Sequence, residues 1–230
     1  MSLHTQSPTL ILDDKRLTVK RNKLLNQLRP TVYRLELEEP RHGLPEIVIV
    51  KQEKRERSNE FREEINAYNR LQQLQGNVIP ILFGQGSFNE YPALILSEVK
   101  GITLRDLAKS DETTVPEKTV ESGLEKVFKE LYIYGAEHCD LNLGNFLFCK
   151  NGKVVVIDLE EVEFPDRRQS WENSVHLGSV GYLMSRFRDV RYPNRPSSPI
   201  PYWESSSGAS NDESGSEELD FPVMSLVSQD

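Results

Sequence analysis

The chain has 230 residues, enough for one domain with a sizeable core or two small lobes, and too few for several full domains. Hydrophobic residues make up 37% and charged residues 28%, and 36 acidic against 28 basic side chains leave a formal charge of -8. That balance, with no basic stripe, argues against a partner bound mainly by charge such as nucleic acid. No window approaches the roughly 20 apolar residues that cross a bilayer as a helix.

The two cysteines, Cys139 and Cys149, make neither a disulfide framework nor a four-ligand metal site. With no signal-peptide stretch at the N-terminus, the expectation is a soluble intracellular protein, cytoplasmic or nuclear, without a membrane partner.

Residues 1–16 read as a flexible, poorly anchored terminus. "LTVKRN" and "TVYRLELEE" predict short strands on either side of residues 26–30. "EIVIVKQEK" is the strongest strand signal of the N-terminal part and ends at Lys51. From Arg55 to Gln75 the period becomes helical: Phe61, Ile65, Tyr68, Leu71 and Leu74 fall on one face, Ser58 or Asn59 caps the start, and Gly76 closes the end. "ILFGQGSF" and "PALILSEV" predict two more strands on either side of a hairpin-like break at "NEY", with Gly84 and Gly86 as turn residues and Pro92 at a strand start.

"GITLRDLAKSD" reads as a turn and a short helix. A second long helix runs from Pro116 to Tyr134, its stripe made of Val120, Leu124, Val127, Phe128, Leu131 and Tyr134. A polar loop, "GAEHCDLNLGN", follows, and then "FLFCK" and "KVVVIDLE" pair as a hairpin about Asn151-Gly152. Val175 to Phe187 predict a last amphipathic helix. Residues 191–230 hold ten serines, five prolines and seven acidic residues against two arginines, a composition that predicts a disordered acidic tail. In it Ser210 and Ser214 each have Glu three positions on, the pattern of acidophilic phosphorylation sites.

The polar loop and the hairpin together point to chemistry. Asp140 and Asn145 bracket the loop and Asp158 ends the strand "VVVI", so a hairpin folded back on the loop brings their oxygens to one mouth. One carboxylate and one carboxamide suit Mg²⁺ that also takes phosphate oxygens and water, which leaves Asp140 to accept a hydroxyl proton. Each residue also has a plain structural role open to it: Asp158 as a turn cap, Asn145 as a partner of loop backbone, and His138 as a brace, since no Cys/His set stands at zinc spacing. Asn142 reads as loop surface.

The array "VIVKQ", "FREEINAYNRLQQLQG", "PALILSEVKGITL", "HCDLNLGNFLF" and "VVVIDLE" resembles the protein-kinase-like superfamily over residues 30–165, most of all small fungal kinase-like proteins and the aminoglycoside and choline kinase branch. The resemblance implies an α+β, two-lobed fold: a small β-rich N-terminal lobe over 17–100 and a truncated helical C-terminal lobe over 101–190. It implies ATP and Mg²⁺ as cofactors. Lys51 would hold the nucleotide's phosphates, Glu64 or alternatively Glu60 would pair with Lys51, and the backbone of Ser97, Glu98 and Val99 would read the base. Asp140 would orient the acceptor hydroxyl, Asn145 and Asp158 would hold the metal, and His138 would brace the loop.

Two departures limit the resemblance. Residues 17–38 contain no glycine where such kinases have a glycine-rich phosphate loop, and Pro30 removes one N–H. Asp158 is followed by Leu159-Glu160, so a further carboxylate stands either near the metal or in water, and no platform of helices for a protein substrate follows. The expected function is an ATP- and Mg-dependent phosphotransferase whose acceptor is unknown. The alternative is a catalytically weak pseudokinase that engages a protein partner, or a second copy of itself, through its shortened lobe.

Overall fold

In the computed structural model, which describes residues 8–25, 27, 30–39, 43–110, 115–165 and 175–194, the first described element is a strand. β1 (Thr9–Leu12) turns through Asp13 and Asp14, at φ 49° and 59°, into β2 (Lys15–Leu24). The expected poorly anchored terminus is therefore corrected from Thr9 onward. An Asp-Asp pair tolerates the left-handed backbone of a two-residue hairpin turn, but it is a weaker signal than Asn-Gly. The apolar residues that hold β1 come from far along the chain.

β3 (Val32–Leu37), β4 (Ile47–Gln52), β5 (Leu82–Phe88) and β6 (Tyr91–Ser97) complete a closed antiparallel barrel in the order β1-β2-β3-β4-β6-β5. Its interior takes alternate residues of each strand, among them Leu10, Leu35, Leu37, Val48, Val50 and Ile95. The opposite parity of β4 and β6 puts Ile49, Lys51, Leu94 and Leu96 on the outer face. That parity is what presents Lys51 outside the barrel.

Gly84 and Gly86 are not turn residues: both lie inside β5, and the turn is at Asn89-Glu90, at φ 49° and 73°, within the "NEY" break that the sequence offers between the two strands. Gly86 pairs with Leu12, and a Cβ there would lie 1.9 Å from the Ile11 carbonyl oxygen. The glycine lets β1 approach and close the barrel. Gly86→Ala is expected to cost about 1–3 kcal/mol as β1 is pushed away. Chemical denaturation checks this, with faster amide exchange at residues 9–12 as its local signature.

The second and larger core gathers α1 (Ser58–Arg70), α2 (Leu104–Lys109), α3 (Glu117–Ile133) and α4 (Val175–Arg191) with the outer face of β6. α1 buries Glu64, Ala67 and Tyr68; it begins after Arg57 with no side-chain cap, so neither Ser58 nor Asn59 caps it. Gly76 does take positive φ (75°), closing the 3-10 turn that follows α1. On α3 the stripe Val120, Leu124, Val127, Phe128 and Leu131 is buried, each side chain worth roughly 1.5–3 kcal/mol. Tyr134 lies beyond the helix end and is 40% exposed.

"GITLRDLAKSD" proves to be β7 (Gly101–Thr103) followed by α2, whose N-terminus is capped by the Thr103 hydroxyl accepting from Asp106 N at 3.0 Å. β7 joins the predicted hairpin, β9 (Phe146–Cys149) and β10 (Val154–Val156), in a three-stranded sheet of order β10-β9-β7. Two residues of the polar loop, β8 (Glu137–His138), pair with β11 (Val162–Glu163). The described residues all fall within one unit of the chain, 1–198; the predicted tail beyond residue 194, with Ser210 and Ser214, lies outside them.

Candidate functional site

Three short ties hold the polar loop against the segment after β10. His138 pairs with Val162, Cys139 N donates to Glu161 O at 2.9 Å, and Ile157 N donates to Asn145 O at 2.9 Å. The loop and Asp158 are thus fixed to each other through the backbone, before any side chain is counted.

Lys51 is the hub of the side chains. Its ammonium lies 2.8 and 2.7 Å from the two oxygens of Glu64, 2.8 Å from Asp158 Oδ1 and 3.0 Å from Glu160 Oε1. Burial works against its charge, but the carboxylates of Glu64, Asp158 and Glu160 outweigh it and hold Lys51 above the ordinary lysine pKa. Burial lifts the Glu64 carboxyl, helped by Asp158 and Glu160 and opposed by Lys51. Burial also pushes Asp158 upward, but the nearby Lys51 prevails and holds it below the usual range.

Of the two glutamates open to this role, Glu64 takes it. Glu60 faces Arg57 at 3.7 Å and is 38% exposed, whereas Glu64 is fully buried and also accepts from Leu159 N at 3.4 Å. Position settled this: Glu64 shares the α1 face of Phe61, Ile65 and Tyr68, and Glu60 and Glu63 are less deeply set.

Asn145 donates from Nδ2 to Asp140 Oδ2 at 2.7 Å, leaving its own Oδ1 to face elsewhere. His138 is 2% exposed and its Nε2 lies 2.8 Å from the Asp158 carbonyl oxygen. Burial lowers its pKa, so the ring is neutral, and the carbonyl selects the tautomer with the proton on Nε2. Its Nδ1 has no hydrogen-bond partner among the described residues. His138 thus braces the loop against Asp158. Asn142 does more than cover the surface: its Oδ1 accepts from Gly144 N and from Arg105, both at 2.9 Å, and so shapes the turn that carries Asn145.

A cavity of about 430 Å³ opens along this array. Val32, Ile49, Leu96, Leu147 and Ile157 give it apolar walls, Ser97, Glu98 and Val99 line one end, and Lys51, Asn145 and Asp158 line the other. The Glu98 side chain is engaged by Arg34 at 2.5 Å, and the Ser97 hydroxyl accepts from Ile81 N at 2.9 Å. The Ser97 N–H is itself given to Ile81 O at 2.9 Å, so along 97–99 it is the backbone of Glu98 and Val99 that can meet a ligand. A second cavity of about 310 Å³, lined by Pro30, Thr31, Lys54, Arg57, Asp140, Asp158, Glu160 and Glu161, shares Thr31, Lys54 and Asp158 with the first. Such an arrangement can take a flat apolar group at one end and, through lysines and acidic oxygens, a phosphate chain with a cation at the other.

For a divalent cation, Glu64, Asp158 and Glu160 place ligand atoms within 4.8 Å of one another, around the Lys51 ammonium. The sequence pointed instead to Asn145 with Asp158, and both line the same cavity. Lys51 already fills the centre of the three carboxylates, so it is the carboxamide of Asn145 with the carboxylate of Asp158 whose oxygens suit a hard cation and fit the expected metal. One participant, Lys54, escapes the sequence reading, which leaves Glu160 open between the metal and water. Lys54 reaches into the site from the turn after β4, and Glu160 bridges Lys51 and Lys54. Nothing in the sequence points to Lys54.

A mixed α and β fold with Lys51 tied to Glu64 and Asp158, and with Asp140 and Asn145 beside them, defines a protein-kinase-like domain. The family model of the ABC1 atypical kinase-like domain matches residues 51–174, more than half of the chain, and the protein belongs to that family. No curated protein matches it in sequence. Among the described residues no helix is long and apolar enough to cross a membrane.

Proposed function

We propose that this chain binds ATP with Mg²⁺ in the cavity between β3, β4, β6 and the polar loop, as the nucleotide end of a two-lobed kinase-like fold, and transfers a phosphoryl group to an alcohol. The observation that carries the reading is the convergence of Lys51, Glu64 and Asp158 from three separate elements at the polar end of an apolar slot. Ser97 to Val99 meet the base, Lys51 meets the phosphates, and Asn145 and Asp158 hold the cation. When bound, the cation neutralises phosphate charge. Asp140, held by Asn145, accepts the hydroxyl proton in the adjoining cavity.

Charge supports an obligatory cation. Glu64, Asp140, Asp158 and Glu160 outnumber Lys51 and Lys54, so a polyphosphate would enter a site that is already negative. The Leu159-Glu160 pair after Asp158 fits a small-molecule alcohol as acceptor, in line with the likeness to the aminoglycoside and choline kinase branch and to small fungal kinase-like proteins.

A second reading, a nucleotide-binding scaffold with little turnover, draws on the glycine-free turn before β3 and on apolar surface at the end of α3, where Ile133 is 55% exposed. A protein partner or a second copy, in the cytoplasm or nucleus, belongs to that reading. Asp158→Ala discriminates nucleotide binding from its absence. Calorimetry with Mg·ATP is expected to show binding by wild type and none by the variant, with unchanged circular dichroism; equal affinity would sink the assignment.

A further inference from the structure

The proposed nucleotide reading leaves the phosphates short of donors. The sequence between β2 and β3 has no glycine, the residue that lets backbone lie closest to a phosphate chain, and Pro30, which lines the second cavity, has no N–H to offer. Arg34 is taken up by Glu98 at the other end of the slot, and Arg57 is a 60% exposed side chain facing Glu60. Among the described residues that leaves Lys51, beside the cation, to meet the chain's negative charge.

Lys54 stands where a second cation is needed. It lines both cavities, at the boundary that Thr31 and Asp158 also share. Its ammonium lies 2.7 and 2.5 Å from the two oxygens of Glu160, whose Oε1 is in turn 3.0 Å from the Lys51 ammonium. A carboxylate gripped between two lysines is the arrangement one phosphate group would also satisfy, since both offer several anionic oxygens to N–H donors. The turn that carries Lys54 is fixed by Arg57 N donating to the Lys54 carbonyl at 3.1 Å. The side chain is therefore presented rather than trailing in solvent, and it is 21% exposed.

We infer that Lys54 is a second phosphate-binding residue, taking over with Lys51 the task of the missing glycine-rich turn, and that Glu160 holds the phosphate position until a nucleotide displaces it. This rests on the nucleotide reading above and specifies it: the ligand class is a nucleoside di- or triphosphate, and the selectivity comes from the phosphates. Glu160 then turns from Lys51 and Lys54 towards the cation that accompanies the nucleotide.

The test is a ladder of affinities for adenosine, AMP, ADP and ATP with Mg²⁺, by calorimetry, in wild type, Lys54→Met and Lys54→Arg. Lys54→Met is expected to weaken ATP and ADP about 10- to 100-fold, the size of a lost charge-assisted hydrogen bond, and to leave adenosine unchanged. Lys54→Arg should restore much of the loss. ATP affinity equal to wild type in Lys54→Met overturns the inference while leaving the nucleotide reading intact, and so does an equal weakening of adenosine and ATP, which marks a structural role. Failure of the wild type to bind any of the four overturns both.

Discussion

Lys51→Met is expected to destabilise the protein by about 3–5 kcal/mol, the usual cost of stranding a buried charge. The substitution fills much of the same space but leaves Glu64, fully buried, facing Asp158 and Glu160 with no cation between them. The sign of the pH dependence follows. Burial and the charges of Asp158 and Glu160 already hold Glu64 above its unfolded value in the wild type against the pull of Lys51; without Lys51 that rise is expected to grow, so the deficit is greatest towards neutral pH and shrinks as acid protonates carboxylates towards about pH 4. In the wild type, Asp158 is held below its unfolded value by Lys51, and the stability it contributes is lost as the pH falls through that lowered value.

The two stability curves should therefore converge on acidification. Urea titrations across that range check the convergence, and parallel curves would contradict it. If the single variant fails to fold at all, Lys51→Met combined with Glu64→Leu provides the control. An apolar pair in place of the ion pair is expected to recover most of the stability while nucleotide binding stays lost.

Asp140→Asn is expected to lower phosphoryl transfer about 10²- to 10⁴-fold, the range for a positioned proton acceptor, while leaving ATP affinity as it is. The separation follows from place. Asp140 lines the smaller cavity with Lys54 and Glu160 and is absent from the lining of the larger slot, where the nucleoside would lie. The substitution is close to isosteric, and one oxygen remains to accept from Asn145. Rates of ATP consumption, compared with calorimetric affinity, separate the two effects. Unchanged consumption would remove Asp140 from the chemistry and favour the scaffold reading.

What could be read directly from the chain was what local pattern controls. The helical stripe that runs through Phe61 and Tyr68 located α1, and the same face singled out Glu64 once it was known to be buried. The spacing of His138, Asp140 and Asn145, followed by Asp158 at a strand end, brought together residues that do lie side by side. Non-local closure was hidden. β1 pairs with β2 across the Asp13-Asp14 turn, but it is only four residues long and closes the barrel against Gly86 and Phe88 of β5, and the two glycines of "GQG" looked like a turn because that partner was unknown. Lys54 was equally opaque, because a lysine after a strand is an ordinary surface residue until the fold joins it to Glu160, which the sequence left open between the metal and water.

The central claim is a cation-dependent nucleotide site, and a thermal-shift titration of the wild type with ATP, with and without Mg²⁺, tests it most directly. A concentration-dependent rise in melting temperature that requires Mg²⁺, and that follows RT ln(1 + [L]/Kd), is the expected result. No shift under either condition, or the same shift with Mg²⁺ removed by chelation, would contradict it.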